Sequence, residues 1–291
     1  MTQFLGEWAL RSSILILGGA LLLWAFRVKD SSIRLAAWTA MLCGSLAIPA
    51  LTAMLPNMAL PVLRVAARPV TDSGLVSGTA SEPTSTVSRS DETAGKSTGI
   101  PKRFDWARAF AIAAVVIYVV GAVALLLRIC VGLAMSLRFL RGSRATGRSA
   151  AGIEIRESSR VAAPVTLGIA RPAIVLPGDW SEWPAAKLDA VLAHERSHVQ
   201  RNDPGVQLLS AIHRALLWHS PLSWFLHKRI VQVAEEVSDE AAVAVSHDRA
   251  MYAEVLLHFI QRVKLSGGLS CKRLSVISQY SCCSILFLRS W

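Results

Sequence analysis

The residues richest in chemistry in this 291-residue chain stand together as His194-Glu195-Arg196-Ser197-His198, the pattern H-E-x-x-H. Histidines four apart on a helix lie on one face, a turn above each other, so both imidazoles can reach one cation. Glu195 stands about 100° round from His194, close enough to reach a water on that cation without being a ligand. Zinc suits such a pair, because three protein donors leave the open position that hydrolysis needs. With 7 histidines and 11 glutamates in the chain, chance gives about 0.006 matches to the pattern. The plainer reading is two solvated histidines on a helix face.

A third ligand is required. Downstream lies Glu235-Glu236-Val237-Ser238-Asp239-Glu240. Glu235 and Asp239 are four apart and share a face, so a glutamate there completes a His₂Glu site. The aspartate one turn on can accept a hydrogen bond from a histidine. Spacing alone barely separates Glu235 from Glu236; Glu236 and Glu240 read as a solvated acidic face. His213, His219 and His227 read as core or interface histidines, with a donor facing the cleft as the alternative for His219. Asp203 reads as a cap or ion-pair partner rather than a ligand. Other chemistries have no footing: the chain has no G-x-S-x-G, no P-loop and no dinucleotide fingerprint. Its five cysteines show no CxxC pair, hence no cysteine metal site and no disulfide framework.

Several elements must position these groups. Residues 152–156, 165–168 and 173–177 have strand character, with Pro172 at a turn or an unpaired edge. The run Ala163–Gly168 reads either as a covered strand or as a sheet edge that receives an extended substrate. The period then becomes helical. A helix capped by Asp179 or Ser181, with Pro184 in its first turn, carries the H-E-x-x-H and breaks at Asn202-Asp203-Pro204-Gly205. Helices over 206–218, 222–246 and 249–264 follow, which makes an α+β domain. Trp218, Leu222, Trp224 and Phe225, beside Lys228 and Arg229, fit helix packing or seating on a membrane's inner leaflet equally well.

Ahead of this domain the chain is apolar. It is 53% hydrophobic with a net charge of +11, and residues 1–150 hold 16 Lys/Arg against 7 Asp/Glu. Basic residues flanking apolar runs suit a membrane better than nucleic acid, so no direct nucleic-acid binding is expected. Spans are expected at about 8–26, 35–55 and 107–134, the first two near and the third longer than the roughly 20 residues a bilayer needs. Lys/Arg density in loop 27–34 and after residue 138 places the domain on the cytoplasmic side. The stretch 64–106, rich in Ser, Thr and Gly, is expected to be a flexible outer loop. These boundaries divide the chain into an anchor (1–148), a metallopeptidase domain (149–265) and an irregular tail (266–291). A transporter would need polar residues inside the spans, and almost none occur.

LAHERSHVQRND, LLWHSPLSWFLHKRI and AEEVSDEAAV, preceded by PVTLGIARPAIVLPGDW, resemble the cytoplasmic peptidase domain of the BlaR/MecR antibiotic-sensor family. The resemblance covers about residues 150–260. It implies a small zincin-like fold of the gluzincin type, with His194, His198 and Glu235 binding Zn²⁺, Glu195 as base and Asp239 as the following aspartate. It also implies a multi-pass protein of the inner (plasma) membrane that cleaves itself or a transcriptional repressor. Val237-Ser238 stands where the family often has a cysteine before the aspartate, a change expected to leave ligation intact. Receptors of that family carry a fourth span and a sensor domain after the protease, so the ending at Trp291 reads either as natural or as that of a truncated form. A non-catalytic signalling or scaffold protein that retains the fold is the rival reading.

Overall fold

A computed structural model describes residues 2–54 and 106–265. The loop expected at 64–106, Trp106 apart, and the tail 266–291 lie outside the described residues. Three helices open the chain: α1 (Thr2–Ala25), α2 (Ser31–Met54) and α3 (Trp106–Gly142). Phe4–Ala25, Ser31–Thr52 and Arg108–Gly142 are long and apolar enough to cross a membrane. Asp30 starts α2 by accepting hydrogen bonds from the backbone N–H groups of Ser32 and Ile33, at 2.8 and 3.1 Å.

A four-stranded sheet follows: β1 (Arg144–Ala150), β2 (Ile153–Ser158), β3 (Val165–Leu167) and β4 (Ala173–Pro177), in the order β1-β2-β4-β3. Strand β2 runs parallel to β4, and the other two pairs are antiparallel. Sequence pattern gives no sign of β1, because Arg-Ala-Thr-Gly-Arg-Ser-Ala has no apolar alternation. Pairing makes this strand, setting Arg144 opposite Glu157 and Ala150 opposite Ile153. It straddles the boundary expected at residue 148. Gly168 closes the turn into β4 at φ +92°, where an added Cβ would meet the Arg171 carbonyl oxygen at 2.5 Å. Met135, Phe139 and Leu140 of α3 pack on Leu167 and Val175.

The remaining elements are a short 3₁₀ turn (Trp180–Glu182), then α4 (Ala185–Gln200), α5 (Asp203–Leu216), α6 (Pro221–Ser246) and α7 (Arg249–Leu265). Two expected boundaries move. Pro184 precedes α4 rather than sitting in its first turn, because residues 180–182 form a separate turn. Asn202-Asp203-Pro204 does not extend the break but starts α5. Asn202 alone reverses the chain, at φ 54°, and proline is at home in a first turn.

Helices α1 and α2 share a core with α6. Ile16 of α1 and Leu35, Trp38, Met41 and Leu42 of α2 are buried with Leu226, Ile230, Val233, Ala234 and Val237 of α6. Glu236 pairs with Arg34 at 2.9 Å, and Glu240 accepts a hydrogen bond from the Ser31 hydroxyl at 2.5 Å. These two glutamates were expected on a solvated face, and Glu240 is exposed and Glu236 half-exposed. They also tie α6 to the first turn of α2, a contact between segments about 200 residues apart that periodicity does not reveal. A second cluster joins Ile153, Ile155, Ile174 and Leu176 of the sheet to Val191 of α4 and Val255 and Phe259 of α7.

Candidate metal centre

Helix α4 turns Val191 toward the sheet and Ala190 toward Ala242 of α6, both alanines fully buried. Small side chains at this crossing let the two helices approach closely. His194 and His198 then face Glu235 across the gap. Their Nε2 atoms are 3.2 Å apart, and each lies 3.7 Å from a Glu235 carboxylate oxygen. Donors about 2.0–2.1 Å from a tetrahedral ion stand about 3.3 Å from one another. The spacing and the N₂O donor set therefore fit one metal ion, and this trio is the candidate group of metal-binding side chains among the described residues.

The other nitrogen of each imidazole is held as well. His198 Nδ1 lies 2.8 Å from Asp203 Oδ2 and 3.2 Å from Ser238 Oγ. Arg201 fixes that carboxylate, with Nη2 at 2.5 Å from Oδ2 and Nε at 3.4 Å from Oδ1, and also donates to Ser197, Ser238 and the Ala234 carbonyl. One guanidinium thus links the end of α4 to α6. His194 Nδ1 faces Asp239 Oδ1 at 3.2 Å and the Tyr252 hydroxyl oxygen at 3.0 Å, while that hydroxyl donates to Asp239 at 2.8 Å. Nδ1 partners of this kind leave Nε2 free as a lone-pair donor.

Electrostatics favour a cation. Against burial, which lowers it, hydrogen bonds to Asp239 and Glu235 and the charge of Glu195 raise the His194 pKa to about 10. Burial first, and then Asp239, Glu195 and Glu235, push the Tyr252 phenol up, so it remains a donor. Glu195 is buried beside the pair. The Thr166 hydroxyl of β3 donates to its Oε2 at 2.7 Å. Thr166 belongs to an edge strand of the sheet.

The structure does not bring His219 to this site. It is exposed at the far end of α5, with its ring 5.7 Å from that of Tyr118, about 20 Å along the helix from Asp203. Sequence reasoning assigned no site role to Thr166, Tyr252 and Ser238, which touch Glu195 or the histidines, or to Arg201, which holds Asp203; Asp203, read as a cap or ion-pair partner, pairs with Arg201 and His198. Only Asp203 left a trace, five residues after His198 and next to the chain reversal.

Three apolar helices long enough to cross a membrane thus lead into a mostly helical domain with a small sheet and an H-E-x-x-H helix. The chain belongs to the BlaR1 peptidase M56 family, whose model matches residues 5–274. It is similar to the regulatory protein BlaR1 of Bacillus licheniformis, at 32% identity over 108 residues. That stretch is 36% of this chain and 18% of the relative, so the match spans under a fifth of the longer protein.

Proposed function

We propose that this chain is a zinc-dependent membrane endopeptidase, with its active centre on the cytoplasmic side of the plasma membrane. It would cut a protein substrate, either itself or a cytoplasmic regulatory protein, in a signalling response. The convergence of two imidazole Nε2 atoms and the Glu235 carboxylate within 3.2–3.7 Å carries the reading. Family membership supports it.

In this reading His194, His198 and Glu235 hold zinc, while Asp203 and Asp239 fix the two rings. Zinc supplies Lewis acidity, which brings the pKa of a water down to about 7. Glu195 accepts the proton of the attacking water and passes it to the leaving amine. Thr166 anchors one oxygen of that carboxylate and so limits its swing. An extended peptide laid along β3 would pass Glu195 within a residue's reach.

The test is made on the full chain in lipid nanodiscs. Metal analysis should give one zinc per chain for wild type and for Glu195→Gln. Wild type should cleave itself or added casein, and Glu195→Gln should not. Equal proteolysis by the two proteins would reject the assignment and leave a signalling scaffold.

A further inference from the structure

We propose that the turn joining α5 to α6, with the helix ends on either side, is inserted about halfway into the bilayer. The catalytic domain would then be a partly membrane-embedded body rather than one resting on the surface. This goes beyond the peptidase reading and does not depend on it.

The depth follows from what the turn touches. Residues 109–127 of α3 carry no charge between Arg108 and Arg128. Tyr118 is ten residues from either arginine, about 15 Å along the helix, which is half the roughly 30 Å hydrocarbon thickness. At that level the Tyr118 hydroxyl donates to the Leu216 carbonyl at 2.7 Å, and the Trp218 indole N–H donates to the Tyr118 carbonyl at 3.2 Å. One turn on, the Trp218 ring lies so close to Gly121 that an added Cβ would meet it at 2.7 Å.

A second span gives the same depth independently. Arg34, at the start of α2, pairs with Glu236. Ser45 is eleven residues further along α2, about 16 Å deeper, and its hydroxyl is 2.8 Å from His213 Nε2 of α5. Pro221 is fifteen residues before Glu236 on α6, or about 22 Å toward the bilayer centre.

The turn is also built for a medium without water. In hydrocarbon every backbone polar group needs an internal partner. The Leu217 carbonyl takes the Ser223 hydroxyl and the Ser220 N–H. The Ser220 carbonyl takes the Ser223 hydroxyl and N–H. The Trp218 carbonyl takes the Trp224 indole at 2.9 Å, and the Leu216 carbonyl takes Tyr118. Residues 215–226 hold no Asp, Glu, Lys or Arg. The flanking arginines lie over rings, Arg214 at 4.6 Å from the Trp224 centroid and Arg229 at 5.2 Å from that of Phe225. Such stems can follow an apolar surface while the head reaches toward the headgroups.

The experiment uses the full chain with its five cysteines changed to serine, reconstituted in phosphatidylcholine/phosphatidylglycerol liposomes. A nitroxide is placed singly by Trp224→Cys, by Leu209→Cys in case the first disturbs the turn, and by two controls: Val116→Cys on the lipid-exposed face of α3 and Arg196→Cys on the exposed side of α4. Collision rates with oxygen, which enters lipid, and with a water-soluble nickel chelate are compared. The oxygen-to-nickel ratio at position 224 should match Val116→Cys, and that at 209, about 10 Å nearer the headgroups along α5, should fall between Val116→Cys and Arg196→Cys, both exceeding Arg196→Cys several-fold. A ratio like that of Arg196→Cys at both positions, or shielding from both reagents, overturns the insertion. So does an aqueous signal at Val116→Cys, which would remove the span that sets the depth.

Discussion

The hydrogen bond that His198 Nδ1–H donates to Asp203 is the most exacting point of the site to perturb. Asp203→Asn keeps the shape of the side chain but removes its charge. The aspartate side chain is 4% exposed and lies 2.8 Å from His198 Nδ1. Water cannot replace the lost charge there, and Arg201 is left facing a neutral amide. A hydrogen bond to a charged partner contributes roughly 1.5–3 kcal/mol. Loss of a group that orients a metal-binding histidine costs about 10–100-fold in affinity, or about 1.4–2.7 kcal/mol. The two ranges agree. Chelator competition should therefore show zinc bound about 10–100-fold more weakly by Asp203→Asn than by wild type. Asp189→Asn makes the same charge change at an exposed position of α4 and should leave the affinity unaltered. Zinc affinity within about threefold of wild type in Asp203→Asn, less than about 0.7 kcal/mol, would refute the orienting role.

Three further outcomes are expected. Thr166→Val removes the hydroxyl 2.7 Å from Glu195; peptide turnover should fall roughly tenfold, the size of one charged hydrogen bond, with zinc content unchanged. Gly121→Ala forces the Trp218 ring aside and should lower the melting temperature in detergent by several degrees, read by tryptophan fluorescence. In metal-free protein His194 is held at about 10, above its ordinary 6.5. A raised pKa contributes stability that is complete below pH 6.5 and lost as pH rises through 10. Chelated wild type should thus melt several degrees lower at pH 9.5 than at pH 6.5, and His194→Gln should flatten that trend.

The sequence alone determined much of this protein. The 3.6-residue period and the H-E-x-x-H spacing fix which face of α4 carries the imidazoles, because helical geometry is local. Uncharged runs of about 20 residues mark the three helices long and apolar enough to cross a membrane, because a bilayer sets a length. The same local logic puts Glu235 and Asp239 on one face of α6.

Tertiary structure decided everything that depends on distant segments meeting. Thr166 reaches Glu195 because a sheet edge lies against α4. Tyr252 joins Asp239 and His194 because α7 folds back. Asp203 turns to His198 because one residue in a left-handed conformation reverses the chain. Glu236 and Glu240 keep the solvent exposure their helix suggests, yet α2 supplies the Arg34 and Ser31 that bind them, and β1 exists only through its partner strand. Local periodicity says which side of an element is polar. It cannot say which other element arrives to use that side, since that choice is made by burial summed over the whole fold.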